Sequence, residues 1–251
     1  MTTCRWGFVV RLRIEVTTQA SELPWPSVLR PGRSLLYDLL AHSAPELGLQ
    51  LHDNGFAPHG MVPFGHSAPV FAQASRRRGA YAIGGHGLIE AGSPIPEILQ
   101  AWATALATRD LIDWGGVAMR VRNVTAVEPP IFSTGTARLR TVTPVVMKGS
   151  GRDDNGVRVT RQAWVLPTEP EFPEYFVGNL RRKAETLGLD SDVELDSITW
   201  VGPKRSFAVS DGLKPGAPIE VELRGAPQTL RAVWSWGLGQ ANSAGFGWIA
   251  A

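Results

Sequence analysis

Gly237-Leu238-Gly239-Gln240-Ala241-Asn242-Ser243-Ala244-Gly245-Phe246-Gly247-Trp248-Ile249-Ala250-Ala251 is the stretch around which the rest of the sequence is organised. Four glycines within eleven residues let the backbone take positive φ and approach another chain with no Cβ in the way. The apolar run Leu230–Trp236 just before it reads as a strand, so one expectation is a glycine-rich hairpin that closes the fold. The other is a loop that cradles phosphates on its backbone amides.

Working back from that end, two similar successions of elements emerge. In the first, Phe8, Val10, Leu12, Ile14 and Val16 alternate with Val9, Arg11, Arg13 and Glu15, the period of a half-buried strand. After Pro24-Trp25-Pro26, Leu35, Leu36, Leu39 and Leu40 have helical spacing, and Pro45 opens a second short helix running to about His52. Met61–Phe71 and Tyr81–Ala91 read as strands separated by a basic turn, Ala74–Gly79. Ile98, Leu99, Trp102, Ala105 and Leu106 form a helical stripe, and Val117–Val127 is a closing strand. The order is β-α-β-β-α-β.

Glu128-Pro129-Pro130 breaks the ladder and stiffens the connection, which places a domain boundary between residues 128 and 129. Beyond it, Ala137–Met147 and Val157–Leu166 read as a hairpin across the polar tip Gly149–Gly156. Pro173 starts a helix with Phe176, Val177, Leu180, Ala184 and Leu187 on one face, and Ser197–Val209, Ile219–Leu223 and Leu230–Trp236 read as strands. The expected fold is α+β: tandem ferredoxin-like, RRM-like domains over residues 1–128 and 129–251, with a C-terminal glycine-rich loop.

Composition narrows the function classes. The 251 residues are 43% hydrophobic, enough for two cores, and carry a formal net charge of only +2. A surface for an acidic partner must therefore come from clustering of the 25 lysines and arginines. Clusters occur at Arg76-Arg77-Arg78, Arg181-Arg182-Lys183 and Lys204-Arg205, with Arg120/Arg122 and Arg138/Arg140 at strand spacing. Cys4 is the single cysteine, which excludes an internal disulfide and a thiolate zinc site. A reducing cytoplasm fits, and neither a signal peptide nor a membrane-spanning run is visible. The histidines have no zinc spacing, and Walker and Rossmann patterns are missing, so neither a metal nor a cofactor is expected.

Leu36-Tyr37 on the first helix, Leu51-His52 fifteen residues on, Pro63-Phe64-Gly65-His66-Ser67 and the closing loop stand in the order and spacing of one family. The sequence resembles the CRISPR-associated endoribonucleases that cut precursor CRISPR RNA, members of the RAMP superfamily. The resemblance implies a metal-independent endoribonuclease that binds CRISPR repeat RNA. It would cleave by 2′-hydroxyl attack, leaving a 2′,3′-cyclic phosphate and a 5′-hydroxyl. An alternative within the resemblance is a non-catalytic RNA-binding subunit of a CRISPR effector complex, and other effector subunits are the further partners it admits.

Carried over residue by residue, the resemblance makes His52 the catalytic histidine and Tyr37 the group that orients the hydroxyl or shares the proton transfer. Taken without it, a single histidine is an ordinary surface residue and a helical tyrosine an ordinary core one. Val62 stands where the family has a lysine, and His59, His66 and Arg33 are the alternatives for that cation; His66 joins the expected catalytic set. The expected RNA-binding residues are Gly237, Gly239, Gln240, Asn242, Ser243, Gly245 and Gly247 of the loop, with Arg138, Arg140, Lys204 and Arg205.

Overall fold

The computed structural model describes residues 11–24, 28–72, 76–77, 80–82, 84–152, 158–209 and 212–250. Cys4, the Phe8–Val10 start of the first strand, Trp25-Pro26, Arg78, part of the Gly149–Gly156 tip and Ala251 lie outside them. The first half runs β1 (Arg11–Thr18), β2 (Glu22–Pro24), α1 (Arg30–Ser43), α2 (Pro45–Asp53), β3 (Gly65–His66), β4 (Val70–Phe71), β5 (Arg76–Arg77), β6 (Ala80–Ala82), β7 (Gly85–Gly92), α3 (Pro96–Ala107), β8 (Leu111–Asp113) and β9 (Ala118–Val127). Leu12, Ile14 and Val16 are buried because alternate side chains of β1 face the helices. β1 is central and antiparallel to both β7 and β9, in the order β3-β7-β1-β9-β8, with β4 also on β7. Leu35, Leu36, Leu39 and Leu40 of α1 and Ile98, Leu99, Trp102, Ala105 and Leu106 of α3 cover one face of this sheet, burying the stripes that the sequence spacing predicts.

Two strands of this half are shorter than the apolar pattern implies. Met61–Phe71 supplies only β3 and β4, because Pro63 and Pro69 lack the N–H that a continuous ladder needs. Tyr81–Ala91 is split at Gly84-Gly85, both at positive φ: β6 turns away to pair with β2 and β5, while β7 stays in the main sheet. The expected basic turn therefore contains a short strand, β5.

The second half comprises β10 (Thr136–Arg140), β11 (Met147–Arg152), β12 (Arg158–Val165), α4 (Phe172–Thr186), β13 (Glu194–Val201), β14 (Arg205–Val209), β15 (Gly212–Gly216), β16 (Ile219–Arg224) and α5 (Pro227–Trp236). Its sheet has the order β10-β16-β13, and the chain end joins it through the Thr141–Ile249 bridge and the Ala250 N–H donated to Arg140. β10, α4, β13, β16, α5 and this end form the second β-α-β-β-α-β unit. The fold is tandem ferredoxin-like, with hairpins β11–β12 and β14–β15 added.

Three strand expectations change here. Ala137–Met147 stops at Arg140, and Ser197–Val209 breaks at Gly202-Pro203. Leu230–Trp236 is helical. In α5, Leu230 and all of Ala232–Trp236 are buried, so no polar face exposes the helical period. The punctuation is nevertheless there: Pro227 occupies the first turn, where its missing N–H costs nothing, and Gly237 follows at φ 107° to end the helix.

The two halves are locked together. Val146, Phe207, Ala244 and Phe246 of the second half sit in the hydrophobic core of the first. Arg11, expected on a polar strand face, is fully buried. Its guanidinium lies between Trp234 and Trp248, 3.6 and 4.0 Å from the ring centroids, and donates to the carbonyls of Ile249 (2.8 Å) and Trp234 (2.5 Å). Glu90 stands 3.8 Å away and also accepts from Arg13 and the Trp248 indole. Burial lowers the Arg11 pKa to about 9, against the pull of Glu90, which leaves it charged at neutral pH.

Candidate functional site

α1 and α2 place Tyr37 and His52 side by side. Both helices begin with proline in the first turn, and the bend at Ala44 between them folds α2 back against α1. The Tyr37 hydroxyl donates to the carbonyl of Leu51 at 3.4 Å, and its ring meets that of His52 edge-on at 5.6 Å. Behind it, Phe64 (5.4 Å) and then Trp102 continue a chain of edge-to-face rings into the core, which fixes where Tyr37 points. His52 lies exposed in the last turn of α2, with Nδ1 2.9 Å from Asp53 Oδ1. With the proton on Nδ1 shared to that carboxylate, Nε2 is left as the acceptor.

The alternatives for the missing lysine lie in different surroundings. Val62 is half-buried against the core. His59 Nε2 is held by Glu185 at 2.5 Å. His66, a candidate catalytic residue in the sequence, is 1% exposed and packs against Trp114 at 5.9 Å, with Nδ1 2.9 Å from the Ser67 carbonyl and, among the described residues, no hydrogen-bond partner on Nε2. Burial drives its pKa down to about 4 despite the neighbouring backbone of Ser67 and Ser243, so it is a neutral packing residue closed off from any ligand. Arg33 sits one helical turn before Tyr37, its guanidinium 5.5 Å from the ring. Burial pushes the Tyr37 pKa up, and the charge and hydrogen bond of Arg33 pull it back only in part, so the phenol stays protonated at neutral pH.

The glycine-rich loop is interior. Gly237, Gly239, Gly245 and Gly247 all have positive φ, and Asn242 and Ser243 are buried. The N–H groups of Gly237, Gly245 and Gly247 are taken by the carbonyls of Val233, Asn242 and Pro144, which corrects the expectation that these amides are offered to RNA. Asn242 is equally committed: Nδ2 donates to Leu238 and Phe246, and Oδ1 accepts from Lys183 at 2.7 Å. Lys183, read in the sequence as part of the basic cluster Arg181-Arg182-Lys183, is buried and also donates to the Gly237 carbonyl at 2.5 Å. Burial holds its pKa well below the ordinary lysine value. Gln240 is half-exposed, and its Oε1 accepts the Lys148 N–H at 3.1 Å, tying the loop to β11.

The predicted basic residues are dispersed. Arg138 and Arg140, exposed on β10, share one carboxylate, Glu220, which offsets part of their charge within the sheet. Lys204 is exposed just before β14, and Arg205 lines an apolar cleft of about 140 Å³ with Val28, Tyr81 and Phe207. Lys148 and Lys214, which no sequence pattern singles out, both meet Trp164: Lys148 stands opposite it in the β11–β12 register and Lys214 Nζ lies 5.8 Å from its ring. Isolated lysines in Met147-Lys148-Gly149 and Leu213-Lys214-Pro215 carry no spacing signal, and hairpin geometry alone unites them. Among the described residues no three His, Cys, Asp or Glu side chains gather as a metal site, and no helix is long and apolar enough to cross a membrane.

Two ferredoxin-like units are locked together by a glycine-rich C-terminal loop. Residues 127–251 match the family model described as CRISPR associated protein Cas6, C-terminal, and the chain belongs to that Cas6 family. Three similar solved structures bear this out in fold. One is described as CRISPR associated protein Cas6, with a TM-score of 0.75, 19% identity and coverage of 96% of this chain and 98% of that one. A Cas6-related protein from Pyrococcus furiosus gives 0.79 at 14% identity with the same coverages. A Cas6 product complex gives 0.65 at 18% identity, covering 97% of this chain and 99% of that one. Comparison of the sequence with curated proteins gives no match.

Proposed function

We propose that this Cas6-family chain binds CRISPR repeat RNA and cuts it as a metal-independent endoribonuclease, residues 1–128 carrying the chemistry and residues 129–251 contributing to RNA binding. The observation that carries the proposal is the contact of an exposed histidine with a partly buried, protonated tyrosine beside a cation: His52, Tyr37 and Arg33. RNA supplies its own nucleophile, so a base, an acid and a charge suffice. His52 Nε2 takes the proton of the 2′-hydroxyl as its oxygen attacks phosphorus. The Tyr37 hydroxyl protonates the departing 5′-oxygen, and Arg33 offsets charge on the pentavalent phosphate. The products are a 2′,3′-cyclic phosphate and a 5′-hydroxyl.

A second reading, an RNA-binding subunit that does not cut, draws on Val62 in the place of the family lysine. Single-turnover cleavage of repeat RNA in excess EDTA separates the two. The nuclease reading expects cutting to persist in the chelator, and a positioned acid or base is worth about 10²–10⁴ in rate, so His52→Ala should fall by that order and Tyr37→Phe by less. Binding without cutting by the wild-type protein favours the second reading, and chelator-sensitive cutting rescued by magnesium refutes metal independence.

A further inference from the structure

The helix-free face of the first sheet holds an open cleft of about 550 Å³ at the Thr18 end of β1, the end away from Arg11 and the junction with the second half. Thr17 of β1, Leu111 of β8 and Arg120 and Arg122 of β9 line it. In the antiparallel registers Thr17 stands opposite Arg120, and Arg120 stands opposite Leu111 on its other side, so these three side chains share one face. Leu12, Ile14 and Val16 alternate with them and are buried in the core with α1 and α3. The cleft therefore opens on the side of the sheet opposite α1, which bears Tyr37.

Arg122 reaches the same face through a β-bulge. Val16 pairs with Val121 and Glu15 with Asn123, which leaves Arg122 without a partner residue on β1. Strict alternation from Arg120 would turn Val124 outward after Arg122. The extra residue instead lets both arginines stay outward while Val124 returns to the core opposite Ile14. Arg122 Nε donates to Thr17 Oγ1 at 3.0 Å. That bond fixes the guanidinium and uses one of its five donors, and the Thr17 hydroxyl, an acceptor there, keeps its own proton to donate.

No acidic side chain completes the cleft. Both arginines are exposed, and among the described residues neither pairs with a carboxylate. Glu15, opposite Asn123 in the same ladder, reaches neither of them, whereas Arg13 on the same face of β1 is held by Glu90 at 3.0 Å. Two guanidiniums in one concavity, one of them set in place by a hydroxyl, match an anion with several oxygens, which planar arginine forks bind better than point charges do. Exposed Leu111 adds an apolar flank on which the sugar of a nucleotide can lie.

We propose that Arg120, Arg122 and Thr17 form a phosphate-binding site for the RNA, taking a phosphodiester distant from the one that is cut. The proposal rests on the RNA-binding reading of the chain. Because the sheet separates this cleft from α1, the contact acts on affinity and not on the chemistry at Tyr37 and His52.

The test uses repeat RNA transcribed from the host's CRISPR array and the full chain carrying His52→Ala, which keeps the RNA intact. This protein is compared at several salt concentrations with versions that also carry Arg120→Ala, Arg122→Ala or, as a control for lost charge alone, Arg181→Ala on the exposed side of α4. Losing a charge-assisted hydrogen bond to phosphate weakens binding about tenfold at low salt. Each of the two cleft variants should also make the slope of log K against log salt shallower by about 0.7, and the control should not. Thermal melting accompanies each titration, and Arg120→Gln and Arg122→Gln replace any alanine variant that does not fold. With His52 restored, the loss should fall on the half-saturating protein concentration of single-turnover cleavage; a loss confined to the rate at saturation would move the cleft to the cleavage site and overturn the proposal. Cleft variants that match Arg181→Ala in affinity and slope also overturn it, leave the RNA-binding reading standing and point to an acidic protein surface as the counterpart. A chain that binds no repeat RNA overturns that reading and the proposal with it.

Discussion

Replacing Arg11 with methionine should destabilise the protein by about 3 kcal/mol, at the low end of what breaking a buried charged contact costs. The side chain is fully buried between Trp234 and Trp248 and donates to the carbonyls of Ile249 and Trp234. Methionine keeps roughly the length and refills the slot between the indoles, which restores part of the packing. It cannot donate, so two buried carbonyls go without this partner, at about 1–3 kcal/mol each if no other group takes its place. Glu90 limits the damage, because Arg13 Nη2 at 3.0 Å and Trp248 Nε1 at 3.2 Å still satisfy its carboxylate. Urea unfolding followed by both tryptophan fluorescence and far-ultraviolet circular dichroism measures the difference. Arg11→Lys should recover less than half of it, since an ammonium lacks the planar fork that stacks and donates in two directions. A destabilisation below about 1 kcal/mol in Arg11→Met would refute the view that this residue bolts the halves together and would leave the desolvation of its charge as the larger effect.

The buried, neutral His66 makes stability depend on acid. The unfolded chain takes up this proton near pH 6.5 while the native state resists until about 4, so the contribution is complete above 6.5 and is lost as pH falls towards 4. It amounts to about 3 kcal/mol, and His66→Gln should flatten that part of the urea stability curve; an unchanged slope argues against it. Gly245→Asp should damage folding before RNA affinity: φ is 86° and a Cβ would lie 2.7 Å from His66 Cε1. Left-handed strain and a buried carboxylate together should cost at least 3 kcal/mol, or roughly 6–12 °C of melting temperature, and a melting curve like that of wild type would disprove this. Lys183→Met removes the donor to Gly237 and Asn242 and should lower stability by about 2 kcal/mol. A gain in urea stability would mean that burying the ammonium costs more than its two hydrogen bonds return.

The amphipathic elements are legible in the sequence because each has one wet face. Spacing alone assigns Leu35, Leu36, Leu39 and Leu40, and the Ile98–Leu106 stripe, to the helices they occupy. α5 escapes this reading, since a helix buried on nearly all sides loses its period and only Pro227 and Gly237 mark it. At the candidate site, the paired segments Leu36-Tyr37 and Leu51-His52 are drawn together by a bend at Ala44, between two proline-started helices, and their spacing is readable. Side-chain direction is not. Arg11, His66 and Lys183 are polar residues that turn inward because partners far along the chain meet them there: Trp248 for Arg11, Gly245 for His66 and Asn242 for Lys183. Lys148 and Lys214 are invisible for the same reason, as their hairpins meet only in three dimensions.

Ala244 and Phe246 are core residues of the first half although they are among the last in the chain. On a ribosome, the sheet built around β1 therefore emerges long before the residues that finish its packing, with the slot for Arg11 still missing Trp234 and Trp248. Completing the first core has to wait for the glycine-rich segment to fold back onto it, a long-range closure whose cost in chain entropy slows folding. Until that closure the first half holds the helices that bear Tyr37 and His52 on an incomplete foundation.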